Sequence, residues 1–266
     1  MSEQAAWQLS DDTAVAYERD FVPAIFAQWP PKLAEIAGIA PGDRVLDVGC
    51  GTGVLAREAA ARVGPSGRVT GLDLNEGMLA VARRLRPEID WRQGDALDLP
   101  FAERAFDVVV SQFALMFFPD RPRALREMWR VLAPGGRLAV AVCASLEETG
   151  GYRLFADILR REAGEDAAAM VEGYFALGDE VELLHLARAA GIADPRVLSR
   201  EGFARFASIE EFGRIEIKGS PLAGLVDPAA FSRIQTAARE AFGEFCDDRG
   251  RLALPLGARV LTARKG

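Results

Sequence analysis

Between residues 42 and 143, short apolar runs alternate with amphipathic stretches, which is typical of strands and helices that alternate around a parallel sheet. Five strands are predicted, at 44–48, 68–73, 89–93, 106–111 and 137–143. Three helices are predicted between them, at 54–63, 76–86 and 120–132. Pro134-Gly135-Gly136 is expected to turn the chain into the fifth strand. The pattern therefore predicts a doubly wound α/β core.

The sequence on either side of this core leans towards helix. Residues 1–40 are expected to be helical, with a cap at Asp11 to Thr13 and a break at Pro30-Pro31. Residues 145–177 are mixed in pattern and favour a helical insertion.

The carboxyl-terminal part adds one clear helix and two strands. The stretch 179–191 is amphipathic and ends at a glycine, which is typical of a helix C-terminus. Two strands are predicted at 196–206 and 252–263. Between them, 228–246 has apolar residues at helical spacing, which fits either a core helix or a dimer contact.

Charge and apolar content narrow the class of protein. The 266 residues hold 32 Lys and Arg against 39 Asp and Glu, a net charge of −7, which argues against a nucleic-acid-binding protein. The most apolar stretch, 105–118, is interrupted by Asp107, Ser111 and Gln112, so no membrane span is predicted. Met1 to Gln4 has neither the basic nor the apolar region of a signal peptide.

The three cysteines, Cys50, Cys143 and Cys246, are far apart and lack a CxxC spacing. This disfavours a disulfide framework and a zinc site, and no metal is expected. A cytoplasmic location is the corresponding prediction.

A glycine loop is the strongest local signal. An apolar strand runs into Gly49, Gly51 and Gly53 and then into a helix. Glycines allow a tight turn and a close approach of a ligand, and the helix N-terminus offers unpaired N–H groups. The loop therefore predicts a ligand at the carboxyl end of the first strand, where open α/β sheets bind. A tight turn without a ligand is the simpler alternative.

The identity of that ligand follows from spacing and charge. A dinucleotide site uses GxGxxG, but Val54 occupies the position of the third glycine. Asp47, two residues before the loop, would repel pyrophosphate and suit a cation. S-adenosylmethionine carries a sulfonium and an ammonium and no phosphate, so charge favours it over NAD. Asp47 fits both direct contact and an indirect role in orienting the loop.

Acidic residues also end the next two predicted strands. Asp73 ends the second strand, where a carboxylate accepts hydrogen bonds from ribose hydroxyls in both NAD and S-adenosylmethionine sites. Asp95 and Ala96 follow the third strand and are candidates for the adenine edge, although Asp95 also fits a turn or helix cap. Ser111 and Gln112 end the fourth strand beside the same edge.

In these motifs the chain resembles the class I S-adenosylmethionine-dependent methyltransferases, and among them the type 11, ubiquinone- and menaquinone-biosynthesis-like branch that acts on small molecules. The resemblance is strong over 41–143 and weak in the flanks. It rests on the glycine loop and on the segments 45–53, 69–73, 78–79, 94–101, 106–112 and 126–138. It implies a Rossmann-like, mostly parallel sheet with a terminal antiparallel strand and helical lid insertions.

The resemblance also implies roles for residues around the cofactor. The three glycines would border the methionine portion, and Asp73 would hold the ribose. Leu74 would lie against adenine, Asp95 and Ala96 would address its edge, and Ser111 or Gln112 would lie near the amino-acid portion. These residues and Asp47 make up the predicted cofactor site.

Several aromatic residues are candidates for the acceptor pocket or lid. In similar enzymes an aromatic on the amino-terminal helix covers the methyl donor, which makes Tyr17 a candidate, although a core position suits it equally. The other candidates, each of which also fits ordinary packing, are Phe113, Phe117, Tyr152 and Tyr174. The apolar stretch 21–29 suits a cap over the site better than a membrane-surface helix, because it contains Pro23 and lacks flanking basic residues. His185, the single histidine, is expected to be packed within a helix and not catalytic.

The leading hypothesis is methyl transfer from S-adenosylmethionine to a small apolar or aromatic acceptor by in-line displacement. Such a reaction mainly requires alignment and exclusion of water, so no catalytic residue is assigned. The alternatives are a non-catalytic S-adenosylmethionine-binding or regulatory module and, less favoured, an NAD-dependent oxidoreductase. The acceptor, the methylated atom and the choice between monomer and homodimer stay open.

A single methyltransferase domain is predicted over 1–266. Its expected parts are a helical cap (1–40), a cofactor-binding core (41–143), a helical lid insertion (144–178), a return to the core (179–206), a second helical insertion (207–249) and the last core strand (250–266).

Overall fold

The computed structural model describes residues 11–266, and their side chains from Thr13 onward. Predictions made for residues 1–10, including the lack of a signal peptide at Met1 to Gln4, lie outside these residues. The cap predicted at Asp11 and Asp12 lies outside the described side chains.

Within residues 11–266, nine strands form two sheets. The main sheet contains β1 (Arg44–Val48), β2 (Arg68–Asp73), β3 (Asp90–Gln93), β4 (Phe106–Gln112), β5 (Leu132–Cys143), β6 (Arg196–Arg200) and β9 (Ala258–Arg264). The second sheet contains β7 (Phe203–Phe206) and β8 (Leu252–Pro255), which pair antiparallel. The five strands predicted between residues 44 and 143 are therefore confirmed within a few residues.

In the described part of the chain, ten α-helices surround and extend the sheets. They are α1 (Asp11–Ala16), α2 (Trp29–Ile36), α3 (Val54–Val63), α4 (Glu76–Leu85), α5 (Arg121–Val131), α6 (Gly150–Ala163), α7 (Glu165–Tyr174), α8 (Glu180–Ala189), α9 (Ile209–Gly213) and α10 (Pro228–Ala241). Two of them continue as π-helical segments, α1 into Tyr17–Phe26 and α9 into Arg214–Lys218. Among the described residues, no helix is both long enough and apolar enough to cross a bilayer.

The order of the main sheet is β3-β2-β1-β4-β5-β9-β6, and all neighbours are parallel except that β9 is antiparallel to both β5 and β6. The strand order reverses between β1 and β4. With right-handed crossovers, α3 and α4 therefore cover one face and α5 covers the other. The predicted Rossmann-like, mostly parallel sheet with one terminal antiparallel strand is confirmed. A crevice opens at the carboxyl ends of β1 and β4, where such sheets bind ligands.

The core lies between the sheet and its helices. β1 and β4 are mostly apolar and both faces of each strand are covered, and Val45, Leu46, Val108 and Val109 are all buried. The local signals at helix ends also hold: Asp120 accepts a hydrogen bond from the Arg123 N–H at 2.9 Å and so caps α5.

The two carboxyl-terminal strands were predicted as unbroken, and that prediction is wrong. Each divides in two, because the chain bends between β6 and β7 and between β8 and β9. At the first bend Gly202 packs so closely on Trp29 that a Cβ there would lie 2.4 Å from the indole ring. Helix packing against the sheet thus imposes a break that strand periodicity does not contain.

Two proline predictions also need correction. Pro134 to Gly136 form a bulge inside β5, whose pairing with β4 shifts between Phe106 and Val108, and do not precede the strand. Pro30 and Pro31 occupy the first turn of α2, where a missing N–H costs nothing, so they begin a helix where a break was expected.

Candidate functional site

A cavity of about 310 Å³ lies at the carboxyl ends of the parallel strands. Every parallel strand from β1 to β5 contributes residues at or just beyond its end, and the helical segments at 11–26, 150–174 and 214–221 close it. Eight of the ten predicted cofactor residues line it: Asp47, Gly49, Gly51, Asp73, Leu74, Asp95, Ala96 and Gln112. The predicted substrate or lid residues Tyr17, Phe113, Phe117, Tyr152 and Tyr174 also line it.

The glycine loop joins β1 to α3 and presents backbone to this cavity. Its first N–H groups are used within the fold, since Gly49 and Cys50 both donate to the Leu72 carbonyl, at 2.8 and 3.0 Å. Gly51 has a φ of +55° and open space where a Cβ would stand. Gly53 has a φ of +85°, and a Cβ there would lie 2.2 Å from the Trp91 ring. Gly53 does not line the cavity, so it serves the turn and the packing of α3.

Asp73 ties two loops of the cavity together. Its Oδ2 accepts a hydrogen bond from the Gly51 N–H at 2.7 Å, and its Oδ1 accepts one from the Asn75 N–H at 2.8 Å. Burial raises the pKa of Asp73 above its usual range, and these backbone hydrogen bonds oppose the rise. The carboxyl group is therefore held in one position by backbone on both sides.

Asp47 is 1 % exposed and lines the same cavity. It accepts a hydrogen bond from the Ala56 backbone, and its Oδ2 has no partner. Burial raises the pKa of Asp47 to about 7, and the neighbouring charge of Asp73 adds to the rise. Asp47 thus both orients the start of α3 and leaves one oxygen for another group. Two acids beside one cavity favour a cationic ligand.

Of the two residues predicted at the end of β4, only one lines the cavity. Gln112 lines the cavity, and its buried Oε1 has no hydrogen-bond partner. Ser111 is fully buried and does not line the cavity, because successive side chains of a strand point to opposite faces. Gln112 is therefore the residue of this pair that can meet a ligand.

The rim beyond β2 and β3 is partly apolar. Leu74 is 40 % exposed although it is a large apolar side chain at a cavity. Asp95 Oδ1 accepts a hydrogen bond from the Leu97 N–H at 2.9 Å, so the turn role considered for Asp95 is present. Ala96 is buried beside it. Together they form a surface that suits a flat ring.

The amino-terminal helical segment covers the cavity. The Tyr17 ring stacks against Phe21 and Phe26 at centroid distances of 5.7 and 5.5 Å. Burial raises the pKa of Tyr17, and the nearby Asp73 contributes. Glu18 pairs with Arg57 at 2.7 Å, so the segment is bound to α3 just after the glycine loop.

Aromatic side chains also line the cavity. Phe113 adopts a left-handed conformation with φ of +53°, and its ring meets Trp29 edge-on at 5.3 Å. Phe117 meets Tyr174 edge-on at 5.8 Å. Tyr152 contacts Phe175 at 5.3 Å. One further acid lines the cavity beside these rings.

That acid is Glu216, which the sequence analysis missed. It lies in the π-helical segment Arg214–Lys218, is 3 % exposed and lines the cavity. Tyr152 donates a hydrogen bond from its hydroxyl to Glu216 Oε1 at 2.7 Å. Burial raises the pKa of Glu216 to about 7, and the Tyr152 hydrogen bond opposes the rise. An acid between two isoleucines, Ile215 and Ile217, was the only signal in the sequence.

The single histidine and the three cysteines also have defined positions. His185 is exposed on α8 and does not line the cavity, so its predicted packing within a helix is wrong. All three cysteines are free, with Cys50 and Cys143 buried. Among the described residues, no three His, Cys, Asp or Glu side chains come together as a possible metal site.

Comparison with known proteins shows a matching domain and similar folds. Residues 46–140 match the family model described as a methyltransferase domain. The 2-phytyl-1,4-naphtoquinone methyltransferase of Thermosynechococcus vestitus is 44% identical over 115 residues, which are 42% of this chain and 51% of that protein. The demethylmenaquinone methyltransferase of Lactobacillus johnsonii is 41% identical over 118 residues, which are 42% of this chain and 48% of that protein. The chain thus spans about half the length of the curated relatives it matches.

A solved structure extends the likeness to nearly the whole chain. Phosphoethanolamine N-methyltransferase 2 of Haemonchus contortus, in complex with phosphomonomethylethanolamine and S-adenosylhomocysteine, has a TM-score of 0.63 and 22% identity. The likeness covers 97% of this chain and 58% of that one. At this identity it establishes the fold.

Proposed function

We propose that this chain, which carries a class I S-adenosylmethionine-dependent methyltransferase domain over residues 46–140, transfers a methyl group to a small aromatic acceptor of the quinone type. The observation that carries the proposal is one cavity lined by two unlike sets of groups. The glycine loop and the buried acids Asp47 and Asp73 form one set, and aromatic rings form the other. A charged methyl donor and a flat apolar acceptor would use these two sets side by side.

The residues present fit S-adenosylmethionine. Asp47 Oδ2 and Gln112 Oε1 are buried acceptor atoms without partners, which suits a ligand that brings an ammonium and a sulfonium. When bound, the cofactor supplies a methyl group on a sulfonium, which is a good leaving group. Gly49 and Gly51 would border its methionine portion, since they offer backbone without a Cβ.

The nucleoside would lie along the neighbouring strand ends. Asp73, fixed by the Gly51 and Asn75 N–H groups, would accept hydrogen bonds from the ribose hydroxyls. Leu74 would cover one face of the adenine, which gives its large exposed fraction a purpose. Asp95 and Ala96 would address the edge of the base. Ser111 and Gly53 would act only by supporting the fold.

The acceptor would lie between the cap and the insertions. The curated relatives are named for 2-phytyl-1,4-naphtoquinone and demethylmenaquinone, and a flat bicyclic ring suits rings such as Phe113 and Phe117. The cap at 1–40 and the insertions at 144–178 and 207–249 would then form one acceptor-binding part of a single domain. Their role would be to align the acceptor with the methyl group and to exclude water. Three free cysteines suit the cytoplasm.

The test is methyl transfer itself. Purified protein is incubated anaerobically with methyl-labelled S-adenosylmethionine and an acceptor panel of a 2-prenyl-1,4-dihydroxynaphthalene, a simple phenol and an aromatic amine. The proposal expects label in the dihydroxynaphthalene, and loss of that label in Asp73→Ala. No labelled product from any acceptor, with S-adenosylhomocysteine still bound tightly, would contradict it and would favour a non-catalytic binding module.

A further inference from the structure

Glu216 occupies an unusual position for an acid. A π-helical segment places three successive side chains, Ile215, Glu216 and Ile217, in the interior. The acid that lines the cavity therefore lies within a π-helical segment. Such local departures from α-helix are frequent at functional sites.

The surroundings of Glu216 are neutral and come from three other elements. Tyr152 on α6 donates the hydrogen bond to Oε1; Tyr174 on α7 and Cys143 on β5 are the other titratable groups close enough to affect it. Burial raises the pKa of each of these three groups, so all stay uncharged at neutral pH. Among the described residues, Glu216 takes part in no ion pair, and Tyr152 is the one side chain that hydrogen-bonds to its carboxyl group.

A purely structural role for the pair of Glu216 and Tyr152 would be energetically unfavourable. Burying a carboxyl group costs free energy that an apolar side chain would not cost, and one neutral hydrogen bond returns only part of it. Glu216 also lines the cavity together with Tyr152, Tyr174 and Phe175, beside which the acceptor ring is proposed to lie.

We propose that Glu216 binds the hydroxyl group of the aromatic acceptor and takes its proton, and that Tyr152 positions the Glu216 carboxylate for this step. The inference rests on the proposed function and names a catalytic residue for it. The acceptor is thereby an aromatic ring that carries an ionisable hydroxyl.

The proton transfer is balanced within the site. The acceptor O–H bond breaks, its electron pair stays on the acceptor oxygen, and a new O–H bond forms at the Glu216 carboxylate. The ring becomes electron-rich at oxygen and at the carbons conjugated with it, which is what attack on a methyl carbon requires. Glu216 releases the proton to water after the product leaves. A base whose pKa lies near neutral pH is suited to this task.

The first arm of the test measures binding and does not depend on turnover. Protein saturated with S-adenosylhomocysteine is titrated anaerobically with 1,4-dihydroxynaphthalene and with 1,4-dimethoxynaphthalene, from pH 6 to pH 8.5. The preference for the diol is expected to grow at least threefold over this range in the wild type and to stay constant in Glu216→Gln. Asp47 is unchanged in both proteins, so the difference isolates Glu216. A preference that varies equally in both would overturn the inference.

The second arm measures turnover with the acceptor found in the assay above. Glu216→Gln is expected to lower kcat by about 10²- to 10⁴-fold, the usual contribution of a general base. In Tyr152→Phe the acidic limb of the pH profile should move to higher pH, because the lost hydrogen bond had favoured the carboxylate. Glu240→Gln, at an exposed position on α10, is the matched control.

The two proposals fail in different ways. Product from the wild type together with unimpaired Glu216→Gln would overturn the role of Glu216 and leave methyl transfer standing. Absence of product from the wild type, with the diol preference present and lost in Glu216→Gln, would support Glu216 as the hydroxyl-binding group and count against methyl transfer. A thermal shift with S-adenosylhomocysteine verifies that each variant is folded.

Discussion

The Asp73 carboxylate accepts a hydrogen bond from the Gly51 N–H at 2.7 Å, across 22 positions of sequence. This bond fixes the end of β2 against the glycine loop that follows β1. The one side chain thus shapes both the surface proposed for ribose and the loop proposed for methionine.

Replacing Asp73 should therefore weaken cofactor binding by more than a loss of folding stability would explain. Asp73→Ala is expected to weaken the affinity for S-adenosylhomocysteine at least 100-fold, because two fixed acceptors are lost and the loop is released. Titration calorimetry measures the change, with the exposed Asp98→Ala as control. An affinity within fivefold of the wild type would contradict the assignment.

Two glycines of the loop, Gly53 and Gly51, should respond differently when each is replaced by alanine. Gly53→Ala combines a left-handed conformation with a Cβ 2.2 Å from the Trp91 ring, so about 3 kcal/mol or more of stability should be lost. Gly51→Ala meets open space, so a loss of about 1 to 2 kcal/mol is expected, accompanied by strongly weakened S-adenosylhomocysteine binding. Urea unfolding and ligand titration of both variants separate the two effects; equal stability losses would refute the distinction.

The buried charge of Asp47 should favour the cationic donor over the neutral product. Because the pKa of Asp47 is raised to about 7, its carboxylate form increases as the pH rises from 6 to 8. The affinity ratio of S-adenosylmethionine to S-adenosylhomocysteine is therefore expected to rise over this range in the wild type and to stay flat in Asp47→Asn. Competition binding at each pH measures the ratio, and a flat ratio in the wild type would argue against contact with the cation.

Glu216 should also leave a mark on stability. Its pKa rises from 4.5 in its usual state to about 7 in the fold, so the folded protein retains a proton that the unfolded chain releases. The stabilisation from this retained proton is fully present below pH 4.5 and is lost as the pH rises through 7. The free energy of unfolding falls by at most about 3 kcal/mol over this range. Glu216→Gln, which stays neutral, should match the wild type near pH 5 and exceed its stability at pH 8. Urea unfolding of both proteins at pH 5 and pH 8 measures the difference. A Glu216→Gln variant that is less stable than the wild type at pH 8 would contradict the expected direction.

The core was predictable because its signals are local. The Gly49 to Gly53 loop, the Asp120 cap and the apolar runs of β1 and β4 each specify their own structure within a few residues. The strand ends then converge because parallel strands share one edge. For that reason, acids 26 positions apart in sequence, Asp47 and Asp73, line one cavity.

The packing around the acceptor region could not be predicted, because it joins residues that are far apart in sequence. Gly202, between β6 and β7, packs closely on Trp29, and His185 is exposed on α8. Glu216 enters the cavity through a π-helical turn that periodicity does not encode. Tyr152 and Tyr174 were named as candidates on residue type alone, without the partner that makes Tyr152 important.

The most direct test of the account is a calorimetric titration of the wild type with S-adenosylhomocysteine, S-adenosylmethionine and NAD. The account predicts binding of one molecule of either adenosyl ligand per chain, no measurable binding of NAD, and loss of the adenosyl binding in Asp73→Ala. Binding of NAD alone, or adenosyl binding that Asp73→Ala leaves intact, would contradict the site as it is assigned here.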